Sequence, residues 1–212
     1  MARESLLFVL SGPSGVGKAT VLKKVLERVP DLRKVVTCTT REPRPGEVAG
    51  FDYFFLSREE FFRRVAEGEI FEYEQVYGDD YFYGSPRPDF SSGDQIVELD
   101  HRGFLTYRRH FGPRMVSVFL LPPSLEELRR RLDARGSTPH LGLRFEQALI
   151  QLGFADQYDY IVLNDDADRA ADTVAGIVRA ERCRRERSEL LKKAEALRQS
   201  GALTQGHPLT PR

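Results

Sequence analysis

Leu6-Leu-Phe-Val-Leu-Ser-Gly-Pro-Ser-Gly-Val-Gly-Lys-Ala-Thr20 is the stretch that decides the fold. Leu6 to Leu10 is a short, unbroken apolar run closed by Ser11-Gly12-Pro13, the pattern of a strand buried on both faces. Beyond the glycines, Val21, Leu22, Val25 and Leu26 recur at helical spacing, which predicts a helix from Lys18 to about Arg28. Strand, glycine loop and helix together open a parallel α/β unit.

The spacing Gly12-x4-Gly17-Lys18 is that of a phosphate-binding loop. Gly12, Pro13, Ser14, Gly15, Val16, Gly17, Lys18, Ala19 and Thr20 are the candidate ATP-binding residues. Glycine lets backbone N–H groups converge on phosphate oxygens. The following helix aims its positive end at the same point, and Lys18 adds a full charge. Glycine-rich turns also precede helices that bind nothing, but here the turn sits between a buried strand and a helix, as the motif requires. One position departs from the pattern. The residue after the lysine is ordinarily Ser or Thr, a Mg²⁺ ligand, and here it is Ala19. Either Thr20 substitutes as the metal ligand, or Mg²⁺ is held by ATP phosphates, water and other groups.

Outward from the loop, Val35 to Thr40, Tyr53 to Leu56, Gln95 to Leu99, Met115 to Leu121 and Tyr160 to Leu163 read as strands. Ile70 to Tyr83 alternates apolar and polar residues, as antiparallel strands do. Ser57 and Ser124 are helix caps, each followed by acidic residues in the first turn. Leu143 to Leu152 and Asp168 to about Ser200 are helical. The expected fold is α/β: a three-layer P-loop core with a parallel sheet, formed by residues 1–36 and 95–180. A small mixed or antiparallel insert occupies 37–94, and a short lid lies near 134–145. A charged helix at 181–200 leads to a tail at 201–212 that reads as disordered.

Bulk properties narrow the function classes. The 212 residues carry 32 Lys plus Arg against 32 Asp plus Glu, a zero balance that argues against bulk nucleic-acid binding. No stretch approaches the length of a membrane span, and the Leu6–Leu10 run is too short for a signal-peptide core. Cys38 and Cys183 stand in no metal-ligand spacing and read as free thiols of a reducing, cytoplasmic compartment. The oligomeric state is left open.

Residues 39–55, Thr-Thr-Arg-Glu-Pro-Arg-Pro-Gly-Glu-Val-Ala-Gly-Phe-Asp-Tyr-Phe-Phe, suggest the acceptor. Arg41 and Arg44, stiffened by prolines, suit a fixed anion, since guanidinium bonds phosphate in a planar, bidentate way. Tyr53 and Tyr83 add hydroxyl donors. A plain surface turn is the alternative.

This segment resembles the signature of guanylate kinases. So do Gly68-Glu-Ile-Phe-Glu-Tyr73, Tyr83-Gly-Ser85, Glu98-Leu-Asp100, Leu121-Pro-Pro-Ser124, Arg131 with Arg135-Gly136, and Tyr158-Asp-Tyr-Ile-Val-Leu-Asn-Asp165, in family order over about residues 5 to 180. The resemblance implies phosphoryl transfer from ATP, with Mg²⁺, to GMP, and to dGMP as well. It implies that Arg41, Arg44, Tyr53 and Tyr83 hold the GMP phosphate, and that Thr37, Glu72 and Ser85 read guanine. Asp100 matches a carboxylate of the GMP site, and Arg135 and Arg144 match arginines that reach the transferring phosphates. Lys18, Arg41, Arg135 and Arg144 are thus the candidate catalytic residues, and Asn164 falls where the family contacts adenine.

The base assignment has independent support. Guanine offers N1–H and N2–H₂ as donors, which suit a carboxylate, whereas the N1 lone pair of adenine would face it unfavourably. The acceptor phosphate is already anionic at neutral pH, so no histidine base is required. The Gly78 to Gly84 segment is longer than the family's usual spacing, the lid is shorter, and His101-Arg102 replaces a commoner uncharged pair. Two other readings compete: a guanylate-kinase-like module that binds phosphopeptides without catalysis, and a same-fold kinase for another phosphorylated acceptor.

Overall fold

The computed structural model describes residues 4–75, 80–134 and 141–205. Arg135, the lid between 135 and 140, part of the 78–84 segment and the tail from 206 lie outside them.

A five-stranded sheet forms the centre. Its strands are β1 (Leu7–Ser11), β2 (Arg33–Lys34), β7 (Gln95–Glu98), β8 (Met115–Leu121) and β9 (Tyr160–Leu163). They run parallel in the order β2-β7-β1-β8-β9. β1 is buried along its whole length because both faces of the sheet are covered. Leu6, Phe8 and Leu10 pack towards α1 (Lys18–Arg28) and α6 (Ala167–Gln205). Leu7 and Val9 point the other way, into a cluster with Phe104 and Tyr107 of α3 (His101–Phe111). These layers are the three of the expected core.

The second sheet is mixed. β3 (Thr37–Thr39) pairs parallel with β4 (Tyr53–Phe55) and antiparallel with β6 (Phe82–Pro86), which pairs antiparallel with β5 (Ile70–Gln75). One face of it packs on α2 (Arg58–Ala66) through Cys38, Phe61, Ile70 and Phe82. Ser57 caps that helix by accepting from the Glu60 N–H at 3.1 Å. Ser124 does the same for α4 (Leu125–Asp133), accepting from Glu127 N–H at 3.0 Å. α5 (Leu141–Leu152) completes the described helices.

Two expected boundaries move. Val35 to Thr40 is not one strand: Val35 N–H still donates to Ile96 O of the parallel sheet at 2.8 Å, and the chain then crosses to the mixed sheet at Thr37. An apolar run does not reveal that its two ends serve different sheets. α6 also runs to Gln205, so the first residues of the expected tail are helical. Gly201 costs a helix interior only about 1 kcal/mol, and no proline intervenes before Pro208.

Candidate active site

The carboxyl ends of β1, β7, β8 and β9 converge, which is where open parallel sheets bind ligands. The loop after β1 is locked there by its surroundings. Gly12 has φ +142°, and a Cβ on it would lie 2.6 Å from Leu120 O. Gly17, at φ +102°, would place a Cβ 2.8 Å from the amide nitrogen of Asn164. Asn164, only 3% exposed, follows β9 and donates from Nδ2 to Val16 O at 2.7 Å. Arg131 of α4 donates to the same carbonyl at 3.1 Å and to Asn164 O at 3.2 Å. Gln151 of α5 accepts from Ser14 N–H at 3.1 Å. Lys18 folds its ammonium over the loop, donating to Gly12 O at 2.7 Å and Pro13 O at 3.3 Å. Asn164, expected at the adenine, thus has its amide nitrogen engaged as a brace under the loop. Arg131 and Gln151 do comparable work; Arg131 stands in one of the matched segments without a role being read for it, and Gln151 carries no motif signal.

The residues available to a metal fit an ion that arrives on the nucleotide. Ala19 offers no oxygen, Thr20 is exposed on α1, and no group of three or more His, Cys, Asp or Glu side chains among the described residues is arranged to hold a metal. ATP phosphates and water would supply most of an octahedral Mg²⁺ shell.

The pairing of the mixed sheet places the acceptor candidates on one face. Residues paired across neighbouring strands point to the same side. Tyr53 pairs with Thr37, Phe55 and Tyr83 with Thr39, Tyr83 with Glu74, and Ser85 with Glu72. This face is polar, while the opposite face carries the apolar contacts with α2. Ser85 Oγ donates to Glu72 Oε1, so the two base-reading candidates form a unit. Burial pushes the Glu72 carboxyl up to about 7; the Ser85 bond opposes this and the nearby Asp100 adds to it. Gly103 lies tight against that carboxyl, within 3.2 Å of where its Cβ would be.

At the other end of the face, Arg41 is 8% exposed. Its Nε donates to Tyr83 Oη at 2.9 Å, and its guanidinium lies 5.5 Å from the ring centre of Tyr53. Nη1 and Nη2 donate to Glu47 Oε2 and Oε1, both at 2.9 Å. Burial works against the Arg41 charge, but the Glu47 bonds outweigh it and raise the guanidinium above its ordinary value. Arg44 is exposed, and its backbone N–H donates to Glu47 Oε2 at 2.7 Å. Glu47 stands within the quoted signature, yet only the fold shows that it organises both arginines.

Asp100 caps α3, its Oδ1 accepting from Gly103 N–H at 2.8 Å. It sits beside the phosphate loop, since the Leu99 N–H before it donates to Leu10 O at 3.1 Å. The structure thus brings Arg41, Tyr53 and Tyr83 together, and Glu72, Ser85 and Asp100 together. Arg144 is half-buried on α5. Among the histidines, His101 stacks on Phe154 with ring centres 3.7 Å apart, and His110 contacts Thr106 O at 2.9 Å. His140 and His207 lie outside the described residues.

Comparison with known proteins agrees with this arrangement. The guanylate kinase family model matches residues 4–181. A guanylate kinase of Caldanaerobacter subterraneus subsp. tengcongensis is 42% identical over 194 residues, covering 88% of this chain and 93% of that one. A guanylate kinase of Symbiobacterium thermophilum is 41% identical, covering 95% and 97%. The crystal structure of guanylate kinase from Anaplasma phagocytophilum superposes with a TM-score of 0.72 at 36% identity, covering 85% of this chain and 87% of that one. A loop built for phosphates, a facing polar sheet and this extent of similarity have one common explanation: the chain belongs to the guanylate kinase family.

Proposed function

We propose that the protein transfers the γ-phosphoryl group of Mg-ATP to GMP, and to dGMP, giving GDP or dGDP and ADP. The observation that carries this reading is the polar face of the mixed sheet. It sets a carboxylate–hydroxyl pair, Glu72 with Ser85, at one end and a buried arginine–tyrosine pair, Arg41 with Tyr83, at the other. A nucleoside monophosphate has the same polarity, base at one end and dianion at the other.

The chain's residues act by position and charge rather than by proton abstraction. Glu72 accepts from guanine N1–H and N2–H, and the Ser85 hydroxyl, which donates to Glu72 in the nucleotide-free protein, turns to donate to O6. Arg41, Arg44, Tyr53 and Tyr83 aim the acceptor phosphate. Lys18 and the backbone N–H groups of residues 12 to 20 hold the ATP phosphates, and Arg135 and Arg144 neutralise the group in flight. Mg²⁺ carried in on ATP would supply further positive charge to offset that of the phosphates. Two unpaired cysteines, Cys38 and Cys183, suit a reducing, cytoplasmic compartment.

The non-catalytic alternative is disfavoured because Gly12, Gly17 and Lys18 are all present and the loop is braced in place. A kinase for a different acceptor is disfavoured by the Glu72–Ser85 unit. The test is ADP release from Mg-ATP with GMP, dGMP, AMP, UMP and CMP offered in turn. GMP and dGMP should turn over and AMP should lag far behind. No release with GMP would refute the proposal.

A further inference from the structure

A lysine joins the two sheets behind the acceptor arginines. Lys34 ends β2, at the edge of the parallel sheet, where it pairs with Ile96 of β7. Its half-buried ammonium donates to Phe51 O at 2.5 Å and to Asp52 O at 3.0 Å, and lies 5.3 Å from the centre of the Phe51 ring. Both carbonyls stand just before β4 of the mixed sheet. β3 and β4 run parallel with Thr37 opposite Tyr53, so their amino ends lie side by side. Lys34 therefore bridges the approach to β3 and the approach to β4, across the point where the chain changes sheets.

The turn that ends at these carbonyls, residues 44–52, begins at Arg44 and contains Glu47. It packs little: Val48 is 57% exposed and Phe51 46%. Bonds within the turn set its shape. Glu47 N–H donates to Arg44 O at 3.0 Å, Val48 N–H to Asp52 Oδ2 at 2.8 Å, and Asp52 N–H to Val48 O at 2.9 Å. Such bonds do not fix its place on the protein. Glu47 on Arg41 does so at one end, and Lys34 does so at the other, through bonds strengthened by its charge.

We propose that Lys34 is a positioning residue for the acceptor: it ties the carbonyls of Phe51 and Asp52 to the parallel sheet, and so holds the turn of Arg44 and Glu47, and Tyr53 beyond it, in place for the acceptor phosphate. The proposal rests on the reading of that turn as the holder of the GMP phosphate. Lys34 itself touches no reacting group. Its loss would let the turn move as a unit, carrying Glu47 away from Arg41, and GMP would bind less well. The phosphate loop after β1 is braced by Asn164, Arg131 and Gln151 instead, so ATP would be little affected.

The test is steady-state kinetics and amide hydrogen exchange on the full chain, with Lys34→Met and Lys34→Arg beside the unaltered protein. Lys34→Met keeps the apolar stem and removes the donors. It should raise KM for GMP about tenfold, the scale of one lost hydrogen bond to a charged group, with KM for ATP changed far less. Lys34→Arg can still donate to both carbonyls and lie over Phe51, and should recover most of that loss. In the nucleotide-free protein, residues 44–55 should exchange about tenfold faster in Lys34→Met, with exchange in residues 6–28 unchanged. A lowered Tm with KM for GMP unchanged, equal rises in both KM values, or unchanged exchange in 44–55 would overturn the proposal. Should Lys34→Met fail to fold, Lys34→Gln, which keeps an N–H donor on a shorter side chain, is read in its place against the same outcomes. Absence of GMP turnover by the unaltered protein would overturn the reading of the turn, and this proposal with it; turnover with an unchanged KM in Lys34→Met overturns this proposal alone.

Discussion

Glu47 grips Arg41 end-on, its two carboxylate oxygens each 2.9 Å from a terminal guanidinium nitrogen. The pair is bidentate and the arginine is buried, so the geometry is worth more than a surface ion pair. Glu47 also accepts from the Arg44 backbone, which shapes the turn carrying both arginines. Glu47→Ala should leave Arg41 with Tyr83 and Glu42 O alone, destabilise the protein by about 1–3 kcal/mol, and raise KM for GMP about tenfold with little change in KM for ATP. Chemical denaturation and paired KM measurements check both parts.

The donor loop depends on contacts from far along the chain. Gly17→Ala asks a left-handed backbone to carry a Cβ that meets the Asn164 amide at 2.8 Å. ATP affinity should fall at least tenfold, about the 1–3 kcal/mol held in one strained residue, with GMP affinity far less affected. Asn164→Ala should act in the same direction more mildly, because Arg131 still donates to Val16 O. Lys18→Met should lower kcat by on the order of a hundredfold, as loss of a charge aimed at the transferring group does.

Glu72 predicts a pH dependence. Its carboxyl is raised to about 7 in the folded protein, chiefly by burial. Guanine offers donors to this group, so GMP binds the carboxylate form. The value of kcat/KM for GMP should therefore climb as pH rises from about 6 towards 8, and Glu72→Gln should be low and lack that limb. The sign for stability is the reverse. A raised carboxyl stabilises the fold below its unfolded value and loses that contribution as pH rises through the folded one. The Tm of nucleotide-free protein should fall between pH 5 and 8, and fall less in Glu72→Gln.

Metal removal separates catalysis from folding. With no metal-holding group of side chains among the described residues, a chelator should abolish turnover and leave the Tm of the nucleotide-free protein unchanged. Ala19→Ser would restore a hydroxyl at the position after the lysine and should lower the Mg²⁺ concentration needed for half-maximal rate.

The parts of this molecule legible in the sequence are those encoded locally. β1, the glycine loop and α1 follow from an apolar run, a turn and a helical period lying side by side, and Ser57 and Ser124 announce the helices they cap. The alternation in β5 was visible too, and a period of two already puts Glu72 and Glu74 on one face. What periodicity does not encode is which distant residue comes to meet that face. Asn164 reaches Val16 across 148 residues, and Gly103 of α3 comes against the Glu72 carboxyl only once the two sheets are docked. Glu47 was readable as part of a signature, but not as the clamp on Arg41. The split of Val35 to Thr40 between two sheets was equally invisible, because both ends are apolar or β-branched.

The central claim is the transfer itself. The most direct measurement follows label from γ-labelled Mg-ATP in the presence of GMP and this protein. The account predicts that label accumulates in the β-phosphate of GDP, one for each ADP formed, with little in inorganic phosphate. Label appearing only in inorganic phosphate, or no transfer to GMP while AMP is phosphorylated, would contradict it.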